Sequence, residues 1–113
     1  MRFSPGSVKT RLMIHKIVVS NPAQSDLNNI RNFTLNHWGA TKAQDYLNQI
    51  KKYFLMLMHN PSFGIDRSII SPGLRSFGVG SHVIFYRNMD NCLQIIRILH
   101  HRQDPQRHLH SEV

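Results

Sequence analysis

Between residues 74 and 100, three apolar runs rich in strand-forming residues follow one another across connections too short for anything but hairpins. The runs cover 74–79, 82–87 and 92–100. Gly80-Ser81 between the first two is a Gly-X pair, which favours a type II′ turn. Asn88-Met89-Asp90-Asn91 between the second and third is polar and turn-forming. The segment is therefore expected to be an antiparallel meander. Its third run carries Leu93, Ile95, Ile96, Ile98 and Leu99, apolar on both faces, and is expected to be a central strand.

The earlier half of the chain supplies what covers that sheet. A β-branched run at 15–20 reads as a first strand. Ser20-Asn21-Pro22 then supplies a polar cap and a proline at a helix start. Ala23, Leu27, Ile30, Thr34 and Trp38 recur at three- and four-residue spacing, one face of a helix that Gly39 ends. A second helix is expected from near Thr41, with Ala43, Tyr46, Leu47, Ile50, Phe54 and Leu57 as its stripe. Towards its end Tyr53, Leu55, Met56 and Met58 make it apolar all round. Such an end is either sandwiched on two sides or presents a docking patch, and sandwiching is the first expectation. Asn60-Pro61 stops it, and a Ser-, Pro- and Gly-rich loop runs to Gly73. Trp38 is expected as a plug between the helices, and Asp26 as a simple complement to the first helix's dipole.

The order β-α-α-β-β-β implies an α+β domain of two layers, a helical hairpin packed on a small, mainly antiparallel four-stranded sheet. At 113 residues one domain fills the chain. Residues 1–12 read as a flexible leader, with Met13 a candidate natural start, 13–109 as the domain and 110–113 as a flexible tail. The leader has no apolar core and does not read as a secretory signal. The densest apolar stretch, 53–58, is far short of the roughly 20 residues of a membrane span. Cys92 has no second cysteine to pair with, so a buried thiol in a reducing, cytoplasmic compartment is expected.

Lys and Arg number 14 against 6 Asp and Glu, a net charge of +8. Removing Arg2, Lys9 and Arg11 with the leader still leaves +5, which points to an acidic partner. The basic residues are scattered, however, and no continuous basic run marks a nucleic-acid motif. Arg75, Arg87, Arg97 and Arg102 fall on the meander or just beyond it. Singly, each is expected to lie at the sheet edge or pair with Asp26, Asp66, Asp90 or Asp104. As a group they are candidates for carboxylate recognition. Adjacent His100 and His101 point to opposite faces of an extended chain, and no His-x-x-x-His pair lies on a helix. No metal site and no cofactor is expected.

Six stretches then fall in a recognisable order: 21–27, His37-Trp38-Gly39, Asn60-Pro61 with Gly64, 72–77, 80–87 and 96–104. From Ile14 to Leu109 the chain resembles the ParE branch of the ParE/RelE superfamily of bacterial type II toxins. The resemblance implies the same β-α-α-β-β-β fold and a cognate antitoxin whose C-terminal segment wraps the toxin, forming a hetero-oligomer. It also implies DNA gyrase as the target, inhibited by binding, with no membrane and no need for direct nucleic-acid contact. The alternative is a RelE-like ribosome-dependent mRNA endoribonuclease, for which Arg75, Arg87 and His100 are the candidate catalytic groups. The stretch after the last strand lacks the Tyr or His-Glu pair found in such enzymes, and the chain's only glutamate is Glu112. The expectation is a binder, with Arg75, Arg87, Arg97, Arg102, Leu55, Met56 and Met58 as its candidate antitoxin or target contacts.

Overall fold

The computed structural model describes residues 16–109. The leader, His15 of the first strand, the domain's first residues and the tail lie outside them. The elements are β1 (Lys16–Val19), α1 (Asn21–Trp38), α2 (Ala40–His59), a 3-10 turn (Pro61–Phe63), β2 (Ile65–Asp66), β3 (Leu74–Val79), β4 (His82–Met89), β5 (Cys92–His100) and α3 (Pro105–Leu109). The strands form one sheet in the order β1-β5-β4-β3-β2. β1 runs parallel to β5, and every other pairing is antiparallel.

The expected two-layer α+β architecture is present, with one strand more than the four expected. Ile65 and Asp66 pair with Ser76 and Arg75 at the sheet edge. A two-residue strand whose residues are both exposed leaves no alternation to read. The second hairpin is also tighter than its polar sequence suggested. Met89 pairs with Cys92, so only Asp90 and Asn91 turn, at φ +56° and +58°. Asp and Asn are among the few residues that tolerate this left-handed region. The Gly80-Ser81 turn stands as expected, joining the paired Val79 and His82. Gly80 lies at φ +56°, and a methyl group there would meet the Tyr46 ring at 2.8 Å.

Ser20 caps α1 as its position implied, accepting the Ala23 N–H at 3.1 Å. Gly39 alone separates the helices. At φ +93° it donates its N–H to Leu35, closing α1 where α2 begins. The main core fills the space between the hairpin and the sheet, built around Ile30, Ile50, Leu57, Ile84, Tyr86 and Ile95. A smaller core covers the sheet's other face, where Leu74, Phe85, Ile96 and Leu99 meet Leu109 of α3. The sequence offered no strong signal for α3, because five residues with one buried side chain show no periodicity. A register shift between Phe85 and Tyr86 leaves Ile96 without a cross-strand partner and moves the alternation by one residue, so that Leu93, Ile95 and Ile98 share the main core while Ile96 and Leu99 face the smaller one. β5 lies between β1 and β4, the central position its two-faced apolarity implied.

β1 is shorter than β5 and stops at Val19, opposite Ile95. From there the edge of β5 is covered by α1 and the residue before it. Ser20 donates its N–H to the Ile95 carbonyl at 3.0 Å and its hydroxyl to the Ile96 carbonyl at 2.7 Å. Asp26 accepts the Ile98 N–H at 2.9 Å. Backbone groups that would have lost a strand partner are thereby satisfied by the Ser20 N–H and hydroxyl and by the Asp26 carboxylate.

Candidate functional site

The four meander arginines do not converge. Arg75 pairs across the ladder with Tyr86, and Arg87 with Leu74, so the two emerge on opposite faces of the sheet. Both bind the segment that runs from the 3-10 turn to β3. Arg75 donates to the carbonyls of Gly64 at 2.7 Å and Ser62 at 3.3 Å. Arg87 donates to the Ser71 hydroxyl at 2.7 Å and the Pro72 carbonyl at 3.2 Å. A side chain committed to a local carbonyl has fewer donors left for a partner. Arg97 forms a bidentate pair with Asp26, Nε to Oδ2 at 2.7 Å and Nη2 to Oδ1 at 2.8 Å, and donates from Nη1 to the His108 carbonyl. Asp26 is thus the anchor of Arg97 and of the β5 edge, well beyond a complement to the helix dipole. Arg102 is exposed in the turn after β5.

The alternative catalytic set is also dispersed. Arg87 faces Gln94 across the ladder, whereas His100 faces His82 at the far end of β5, about 20 Å away at six strand residues. His100 accepts the Arg102 N–H on Nδ1 at 3.2 Å, shaping the turn. On α2, Met56 and Met58 pack against the main core, as a sandwiched helix end requires. Leu55 is 53% exposed.

Trp38 is not an interhelix plug. It is 68% exposed. Eight residues after Ile30 it is turned by about 80° from that buried position. The last buried residue of α1 is Ile30, so its final two turns extend past the core. Phe33 in this stretch is 59% exposed and stacks on His37 at a centroid distance of 3.9 Å.

These aromatic rings stand beside a cleft of about 730 Å³ between the hairpin and the far end of β4 and β5. Ile30 and Ile98 contribute apolar surface, and Phe33 and Trp38 line it from α1. The Asp26–Arg97 pair, Lys42, His82, His100 and His108 supply the polar lining. Phe33 was detectable in the sequence as an aromatic residue off the apolar stripe. Lys42, Tyr46, His82 and His108 carried no such signal, because only the packing of α2 against the β3–β4 turn and of α3 beside Arg97 brings them to one place.

That packing is specific. The Tyr46 hydroxyl donates to the Val79 carbonyl at 3.1 Å, receives the Ser81 N–H at 3.2 Å and lies 2.7 Å from His82 Nδ1. Burial raises the Tyr46 pKa, opposed by the Ser81 hydrogen bond. Burial is also the main reason that the His82 pKa falls to about 4, with His100 and His101 adding repulsion. Both groups are therefore neutral at physiological pH. The unfolded chain would protonate His82 near pH 6.5, so stability is lost as pH falls from about 6.5 towards 4. Urea unfolding at pH 7, 5.5 and 4.5 should show a smaller loss for His82→Gln than for the native chain; equal losses would dismiss His82 as the source.

A sequence model of the family described as "ParE toxin of type II toxin-antitoxin system, parDE" matches residues 17–105. The chain belongs to the ParE toxin family. Toxin ParE1 of Mycobacterium tuberculosis is 33% identical over 98 residues, covering 86% of this chain and all of that toxin. Toxin ParE1 of Caulobacter vibrioides is 32% identical over 91 residues, covering 80% of this chain and 94% of that toxin. Toxin ParE3 of the same organism is 32% identical over 89 residues. A solved structure described as "Chromosomal ParDE TA system from P. aeruginosa" superposes with a TM-score of 0.67. It covers 77% of this chain and 96% of that one at 21% identity, which establishes the fold. The ParE assignment makes this chain the toxin of a type II module, with an antitoxin as its partner.

Proposed function

We propose that this ParE-family toxin inhibits DNA gyrase by binding to it, and that its antitoxin silences it by filling the cleft between α1 and β5. The observation that carries this reading is the exposed pair Phe33 and Trp38 on a cleft of about 730 Å³. Aromatic residues beside an apolar depression are the usual anchors of protein–protein recognition. Lys42 on the same cleft and a net charge of +8 favour an acidic segment. A helical or extended antitoxin segment would place an apolar side chain against Ile30 and Ile98, between the two rings. Leu55 and Arg102, both exposed, are further candidate contacts.

Binding suits this site better than side-chain catalysis. Arg75 and Arg87 are engaged by local carbonyl and hydroxyl groups, and His100 lies at the other end of the sheet. The purified toxin should therefore abolish supercoiling of relaxed plasmid by gyrase, and cognate antitoxin should restore it. Ribosome-bound mRNA should stay intact at the same toxin concentration. Codon-dependent mRNA cleavage with normal supercoiling would transfer the assignment to the endoribonuclease reading.

A further inference from the structure

A second depression, of about 580 Å³, lies between α1 and α2. It has a different chemistry from the cleft. Gln24, Asn28 and Arg31 lie along one stripe of α1, at positions i, i+4 and i+7. Gln44 and Lys51 face them from α2, also seven residues apart. Leu27, Leu47 and Phe54 form the apolar part of the lining, and no lining residue is a carboxylate. Neither Arg31 nor Lys51 has a hydrogen-bond or ion-pair partner among the described residues, whose one ion pair is Arg97–Asp26.

The imbalance extends along the hairpin. Residues 21–59 contain Arg31, Lys42, Lys51 and Lys52 but only Asp26 and Asp45 as acids, and Arg97 occupies Asp26. Cations interspersed with side-chain amides, without an exposed aromatic anchor, suit phosphate oxygens. A protein partner would be expected to use apolar or aromatic hot spots, which this chain places at the other depression. From Gln24 to Arg31 the stripe extends about 10 Å, matching roughly three base-pair steps of a duplex.

We propose that the furrow between α1 and α2 binds the sugar-phosphate backbone of duplex DNA, with Arg31 and Lys51 neutralising phosphates and Gln24, Asn28 and Gln44 donating to their oxygens. The contact is independent of base sequence. It goes beyond the gyrase reading and does not require it, although a toxin docked on a DNA-bound enzyme would have its helical hairpin available for such a contact.

The test is fluorescence anisotropy of the full chain with a labelled 20-base-pair duplex between 50 and 200 mM KCl, with no gyrase present. The native chain should bind with a strong salt dependence. The double variant Arg31→Gln/Lys51→Gln should weaken binding about tenfold or more across this range, and flatten the slope of log affinity against log salt by about 1.8. A control, Lys16→Gln/Arg107→Gln, removes the same charge from exposed sites elsewhere and should change affinity by less than about threefold. Circular dichroism checks that both variants are folded. Equal losses in the two double variants would reduce the effect to net charge and overturn the proposal. So would no binding at 50 mM salt, or tighter binding of a 20-residue polyglutamate than of the duplex. None of these outcomes bears on supercoiling inhibition, which is read separately.

Discussion

Replacing Asp26 by Asn or Arg97 by Met should cost about 3 kcal/mol of folding stability, the largest single-site loss expected outside the apolar core. The two side chains are only 11% and 17% exposed, and their pairing is bidentate. Asp26 also accepts the Ile98 N–H at the point where β1 no longer covers β5. Removing its charge leaves the guanidinium poorly compensated and weakens that acceptor. Removing Arg97 leaves a carboxylate facing the sheet edge and frees the His108 carbonyl through which Arg97 holds α3. Chemical denaturation of the two single variants and the double variant provides the measurement. The double variant should be less damaged than the sum of the singles, because the cost lies in the orphaned partner. Additive losses below about 1 kcal/mol each would mean that solvent screens the pair as it does a surface one.

Truncating Trp38 to Ala should weaken antitoxin binding by at least about thirtyfold, equivalent to about 2 kcal/mol. Phe33→Ala should have a similar direction and a smaller size. Neither change should shift stability by more than about 0.5 kcal/mol, since both rings already face solvent. The contrast between intact folding and lost affinity distinguishes a recognition site from a structural one. Calorimetric titration with the cognate antitoxin, beside thermal unfolding of the free toxin, measures both. Unchanged affinity in the Trp38 variant would remove the cleft from the antitoxin interface. A large stability loss would mean that the ring supports the helical hairpin after all.

The positions of Phe33 and Trp38 mark the limit of periodicity as a guide. A stripe of Ala23, Leu27, Ile30, Thr34 and Trp38 satisfies helical spacing throughout. Burial on α1 nevertheless ends at Ile30. Spacing specifies which residues share a face, whereas the extent of the opposing sheet decides how much of that face is covered. The arginines give the same lesson in electrostatic form. Their sequence positions placed them all near the meander. Facing neighbours then assigned Arg75 and Arg87 to the segment before β3 and Arg97 to Asp26, 71 positions away.

Signals in the sequence specify β1, α1, α2 and the β3–β5 meander in their order, the Ser20 cap, the Gly39 break, the tight Gly80-Ser81 hairpin, the central place of β5 and the resemblance to ParE toxins. These are local signals: a cap, a positive φ, an alternation or its absence, each written within a few neighbouring residues. The edge strand Ile65–Asp66, the second core beneath Leu109 and the two depressions on either side of α1 follow instead from how distant segments pack. Each of these depends on where an element ends relative to another that is distant in the chain. β1 stops four residues into β5, α1 outlasts the core, and α2 brings Tyr46 against the β3–β4 turn. The surfaces available for recognition arise from those mismatched lengths.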